Sequence, residues 1–164
     1  MIFLVFCASA QQNTIPLRFQ KITTEQGLPH NFVHSVTQDQ KGFIWIGTNY
    51  GLARYDGYNF KVFQPDADKP YSITHKPIGK VFVDSKNFLW LSINSGGINR
   101  MDLQTERFTG YFYDSTERVS LGVELRNFHE DLDSNLWIAT SRGVFLYDRV
   151  NDVFINTLIN KTFN

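Results

Sequence analysis

Cysteine is nearly missing from this sequence: one residue of 164, Cys7, carries a thiol. Neither a disulfide framework nor a Cys-based zinc site can be built from it. Net charge is missing too, because sixteen Lys and Arg balance sixteen Asp and Glu. No basic stripe points to nucleic acid, and no acidic block points to a disordered tail. Nothing beyond the first ten residues approaches the ~20 apolar residues that a membrane-spanning helix needs. His30, His34, His75 and His129 form no H-x-H or HExxH pattern, and no G-x-S-x-G or P-loop is present. Gly96-Gly97 reads as a turn and not as a phosphate cradle. The non-repeated carboxylates Asp66, Asp68, Glu117 and Glu124 sit in loops, the one place an acid/base pair could arise. No catalytic residue, metal or cofactor is therefore assigned.

What the chain has in abundance is aromatic residues, 15% of the total with fifteen Phe, a composition that favours strands. The length suits one domain with a core of its own. The first ten residues, MIFLVFCASA, are apolar or small and end in an A-x-A pattern. They read as a signal peptide cleaved before Gln11, which would remove Cys7. A basic n-region is missing, which predicts a true start a few codons upstream. Residues 14–23, TIPLRFQKIT, alternate in the manner of a strand.

The segment KGFIWIGTNYGLARYDG, residues 41–57, is an apolar run, a turn, a second run and an Asp-Gly turn. The unit returns at residues 87–102 and 135–148. Trp45, Trp90 and Trp137 are spaced by 45 and 47. Six before each lies Asp39, Asp84 or Asp131, and the next turn glycine is Gly51, Gly97 or Gly143. The third run ends at Asp56, Asp102 or Asp148, and a fourth contains Phe60, Phe108 or Phe154. A period of ~40–50 residues with four short strands per copy is the pattern of a β-propeller blade. The chain is therefore read as all-β, with blades at 32–64, 78–113 and 125–158. The repeated residues are read as scaffold: Gly for positive φ, Asp for capping turns. The connections 65–77 and 114–124 are polar loops.

Propeller topology puts the long connections and the second-to-third-strand turns at one end of the blades. Sites live on variable loops over a rigid scaffold. On that ground Asn49, Tyr50, Arg126 and Arg142 are candidate ligand residues. His34, at the inner-strand position matched by Gly79 and Arg126, joins them. An aromatic ring beside amide and guanidinium donors suits a sugar, by stacking and by binding hydroxyls.

Leu28-Pro29-His30-Asn31, Val36-x-Gln38-Asp39, residues 42–48 (GFIWIGT) and Gly51-Leu52-x-Arg54-Tyr55-Asp56-Gly57-x-x-Phe60 resemble the two-component regulator propeller repeat. The resemblance covers roughly residues 19–158. It departs at Asn87, Ser92, Met101, Ala139 and Arg149. It implies the periplasmic sensor part of a hybrid histidine kinase, anchored in the inner membrane and controlling carbohydrate-utilisation genes. It also implies a seven-bladed ring of which these are the first three blades, with residues 14–23 as the ring-closing outer strand. An oligosaccharide ligand, the remaining blades, downstream sensor domains and a homodimer of the full-length protein are the implied partners; nucleic acid is not. The alternative is a piece of a propeller enzyme, a polysaccharide lyase or glycosidase.

Overall fold

Each tryptophan-centred unit folds as a four-stranded antiparallel sheet. The computed structural model describes residues 18–94, 97–111 and 124–157. The candidate signal peptide, residues 14–17 and most of the second long connection, Glu117 included, lie outside them. The first sheet holds β1 (Val33–Gln38), β2 (Ile44–Thr48), β3 (Gly51–Tyr55) and β4 (Phe60–Phe63). The second holds β5 (Ile78–Val83), β6 (Phe88–Ile93), β7 (Ile98–Asp102) and β8 (Phe108–Tyr111). The third holds β9 (Leu125–Glu130), β10 (Leu136–Thr140), β11 (Gly143–Asp148) and β12 (Val153–Asn156). Strand order follows the chain in every sheet, and β1, β5 and β9 are the strands that meet between sheets. These are propeller blades stacked face to face. No helix among the described residues is long and apolar enough to cross a membrane.

The stretch read as a ring-closing strand is expected to pair with a last blade outside these three, so its partner is not among the described residues. Its described part, residues 18–23, pairs with no strand. A strand needs a partner edge, and all three sheets draw their four strands from their own repeat. The chain then enters a 3-10 turn, Thr24–Gln26, closed by a capping box between Thr23 and Gln26.

The Asp–Trp spacing has a direct physical cause. Asp39 Oδ1 accepts the backbone N–H groups of Lys41 (2.9 Å) and Phe43 (3.0 Å), while Oδ2 accepts the indole N–H of Trp45 (2.8 Å). Asp84 does the same for Lys86, Phe88 and Trp90, and Asp131 for Asp133, Asn135 and Trp137. One carboxylate thus fixes the β-turn and satisfies a buried indole donor. The second repeated aspartate caps the later turn: Asp56 accepts from Tyr58 and Asn59, Asp102 from Gln104 and Thr105, and Asp148 from Val150 and Asn151. Gly51, Gly97 and Gly143 hold φ of 136°, 130° and 117°, a conformation that side chains resist.

Trp45 and Trp90 each face the following blade. Trp45 and Leu52 pack with Ile78, Leu89, Leu91 and Met101; Trp90 and Ile98 pack with Phe128, Leu136, Ile138 and Phe145. Gly47 sits where the backbones come closest, since a Cβ there would lie 2.9 Å from the Gly79 carbonyl oxygen.

Ion pairs cross both junctions. Arg54 lies over Phe43 and reaches Glu106 Oε1 (2.8 Å), which also takes Lys61 through its other oxygen. Arg100 lies over Phe88 and reaches Asp152 Oδ1 at 3.0 Å. Asp152 also accepts the hydroxyls of Tyr111 and Tyr147. Burial first, then the bond to Asp152, pushes both phenols above their ordinary range, so they remain protonated donors. Arg149 crosses from blade 3 to the buried Asp84 (2.8 Å) and bonds Glu130 of its own blade (2.9 Å). Glu130 in turn holds Ser85 of blade 2.

Asp84→Ala strands two backbone donors, an indole N–H and Arg149, and is expected to cost on the order of 3 kcal/mol in urea denaturation. Asp131 carries an acid-dependent part of stability. Donation from Trp137 and Asn135 lowers its pKa from 3.8 to about 2. Its contribution is complete above the unfolded value and is lost as pH falls from about 4 towards about 2. Asp131→Asn should flatten the fall in denaturation midpoint over that range; an unaltered slope would remove this assignment.

Candidate functional site

The described parts of the β2–β3-type turns and of the long connections occupy the same end of the blades, and hydrogen bonds tie them together. Asn49 N–H donates to Phe32 O, Asn94 N–H to Pro77 O, and Ser141 N–H to Glu124 O. Each bond joins a turn to the residue leading into the inner strand of the same blade. Thr48 and Thr140 hold their turns with a hydroxyl that donates to the Gly51 or Gly143 carbonyl and accepts from the Tyr50 or Arg142 N–H. Blade 2 has Ile93 at that position and a turn one residue longer.

The inner strands all bulge at this end. The register shifts between Val33 and Ser35, between Ile78 and Val81, and opposite Ala139 and Thr140. A bulge re-aims the extra residue, and the residues in question are His34, Gly79 and Arg126. His34 Nε2–H donates to Asn49 Oδ1 at 2.6 Å, so these two candidates form one group. Phe32 stands beside the imidazole with ring centroids 4.9 Å apart. At blade 2 a Cβ on Gly79 would fall 2.5 Å from Ser92 Oγ and 2.6 Å from Asn94 Oδ1. Ser92 Oγ there accepts the Lys80 N–H. Arg126 pairs with Glu124 at 2.9 Å on an exposed part of blade 3.

Tyr50 turns away from the His34–Asn49 pair. Its ring is 48% exposed and carries the ammonium of Lys76 at 4.0 Å from the centroid. Its carbonyl accepts from Gln64 Nε2. Tyr50 forms one wall of an open groove of about 1150 Å³ between the outer strands of blades 1 and 2 and the first long connection. Phe63, Tyr71, Ile73 and Phe108 give it an apolar floor, and Lys61 and Glu106 a charged rim. Asp66, beside it, is held ionised by its bond to Lys69, which suits a loop anchor and not a proton donor.

The five candidates therefore fall into three places: His34 with Asn49, Tyr50 with Lys76 at the groove, and Arg126 and Arg142 on blade 3. Lys76 and Gln64 escaped the sequence reading. The connection was legible as a variable loop, but no spacing marks which of its side chains reaches back to Tyr50. Arg149 was passed over as an ordinary departure from the repeat, and it proves to be a cross-blade ligand of Asp84.

Residues 27–50 match the family model described as the two component regulator propeller. A histidine kinase P4 of Formosa agariphila is 32% identical over 72 residues, which is 44% of this chain and 5% of that protein. The extracellular domain of a hybrid two component system from B. thetaiotaomicron superposes with a TM-score of 0.75 at 28% identity, covering 84% of this chain and 20% of that one. Virginiamycin B lyase from Staphylococcus aureus shares the fold alone, with a TM-score of 0.56 at 15% identity over 79% of this chain and 42% of its own. The chain thus spans a small part of the kinase and of the extracellular domain it matches.

The Lys76–Tyr50 contact is exposed, so Lys76→Ala should lower stability by no more than about 1 kcal/mol. It should shift the Tyr50 ring proton resonances while leaving those of Trp45 in place. Unmoved Tyr50 signals would show that the pair does not persist in solution.

Proposed function

We propose that this chain, which carries the two-component regulator propeller repeat, serves as part of the ligand-sensing propeller of a hybrid two-component histidine kinase. The observation that carries the reading is the 28% identity and 0.75 TM-score with an extracellular two-component domain, over 84% of this chain. The blades lie outside the inner membrane, in the periplasm, and phosphotransfer belongs to other domains of the full-length sensor. This part of the sensor performs no chemistry of its own. Its end with the long connections meets the ligand.

The side chains at that end favour an oligosaccharide. A sugar offers hydroxyls in pairs and apolar C–H faces. Asn49 and His34 supply a preorganised amide and imidazole, Tyr50 a half-exposed ring, and Arg126 and Arg142 guanidinium donors. Carbohydrate-utilisation genes are the output that such a ligand fits. The reading as part of a lyase or glycosidase draws only on fold-level likeness to virginiamycin B lyase. The carboxylates beside the site are engaged with Lys69 and Arg126.

Calorimetric titration of the full-length sensor with an oligosaccharide panel tests the assignment. Tyr50→Ala and Asn49→Ala should each weaken binding about tenfold or more, a loss of about 1.4 kcal/mol. Wild-type affinity in both variants would exclude this end of the blades, and substrate turnover would favour the enzyme.

A further inference from the structure

The groove between blades 1 and 2 carries an unbalanced charge. Three of the aromatic residues that line it have a cation over the ring: Lys61 over Phe63 at 5.1 Å, Lys76 over Tyr50 at 4.0 Å and Arg107 over Tyr71 at 4.7 Å. The two acids that line it are already committed. Glu106 is shared by Arg54 and Lys61, and Asp66 holds Lys69. Asp68, in the same connection, does not line the groove. Among the described residues, Lys76 and Arg107 pair with no carboxylate.

The cross-blade arginines show what is missing. Arg54 and Arg100 also lie over aromatic rings, but each meets an acid of the next blade. At Tyr50 and Tyr71 the same cation–ring contact is made without the acid. A long side chain held over a ring has already lost part of its rotamer freedom, so an incoming anion does not bear that cost. Nor does it have to displace a resident carboxylate.

The surroundings suit a sugar as the carrier of that anion. Tyr50 and Tyr71 are 48% and 54% exposed, which leaves ring surface for the apolar C–H face of a pyranose. Phe63 and Phe108, with centroids 6.0 Å apart, fix the floor, and Phe63 packs on the buried Trp45. At about 1150 Å³ the groove exceeds the clefts of ~300–1000 Å³ that hold a small ligand, and it is open, as a chain of sugar rings requires. An acidic peptide would draw on the same cations, but extended peptides gain their hold from main-chain bonds. Here the Tyr50 carbonyl is filled by Gln64 and the Tyr71 carbonyl by the Phe108 N–H.

We propose that this groove binds an anionic oligosaccharide, with Lys76 and Arg107 receiving the carboxylate or sulfate groups of sugars that stack on Tyr50 and Tyr71. An acidic glycan is a narrower case of the oligosaccharide reading above, on which this assignment rests.

Calorimetric titration of the full-length sensor tests it with two pairs of probes: oligogalacturonides against their methyl esters, and sulfated cello-oligosaccharides against the unsulfated parent. Each pair keeps the sugar skeleton and removes the charge. The charged member of at least one pair should bind about tenfold more tightly than its neutral partner, and its affinity should fall as NaCl rises. The pair that responds tells carboxylate from sulfate. Lys76→Gln and Arg107→Gln should each weaken the charged ligand about threefold, and together about tenfold, with the neutral ligand unchanged. Lys76→Arg should keep the affinity, and Lys86→Gln, at the other end of blade 2, should have no effect. Near-ultraviolet circular dichroism checks that each variant is folded. Neutral sugars bound as tightly as charged ones, or wild-type affinity in the Lys76 and Arg107 variants, would overturn the proposal and leave the oligosaccharide reading standing. A polyglutamate peptide bound as tightly as the charged sugars would overturn it in favour of an acidic protein partner. Binding of no sugar at all would overturn both.

Discussion

The bond between a carboxylate and an indole six residues later holds this architecture together. An indole N–H buried without an acceptor is costly, and a tight turn leaves backbone donors unfilled. Asp39, Asp84 and Asp131 meet both needs from one side chain. The turn cannot relax without releasing the ring, and the ring cannot shift without opening the turn. Because Trp45 and Trp90 are the surfaces on which the following blades rest, the local turn is coupled directly to the packing between sheets. Stability in this chain passes from one repeat to the next through that side chain.

The blades were legible because their determinants are local. Strand runs, turn glycines and capping aspartates act within a few residues, so their spacing survives in the sequence and repeats. Asp39 and Trp45 could be paired by counting alone. What joins one blade to another was not legible. Arg54 and Glu106 lie 52 residues apart, and Arg149 and Asp84 lie 65 apart. No periodicity within a single repeat shows that the first of these arginines has an acid waiting on the next sheet. Residues 18–23 show the same limit from the other side. Their alternation has the pattern of a strand, yet strand formation depends on an edge to pair with, which local pattern does not encode.

The candidate site was legible as a region and not as a constellation. Topology placed Asn49, Tyr50 and His34 at one end of blade 1. It could not foresee that a bulge would swing His34 onto Asn49 while Tyr50 turned towards Lys76. Bulges depend on how two strands settle against each other and on what the neighbouring sheet permits. The close approach of Gly47 to Gly79 shows that pressure at the inner strands.

The longer turn of blade 2 carries a last consequence. Trp90 is followed by its turn glycine after seven residues, where Trp45 and Trp137 need six. Interchangeable repeats would present the same connection at every blade. One inserted residue, together with Ile93 in place of the threonine, breaks that sameness. Among these three repeats, the second therefore carries a connection unlike those of its two neighbours.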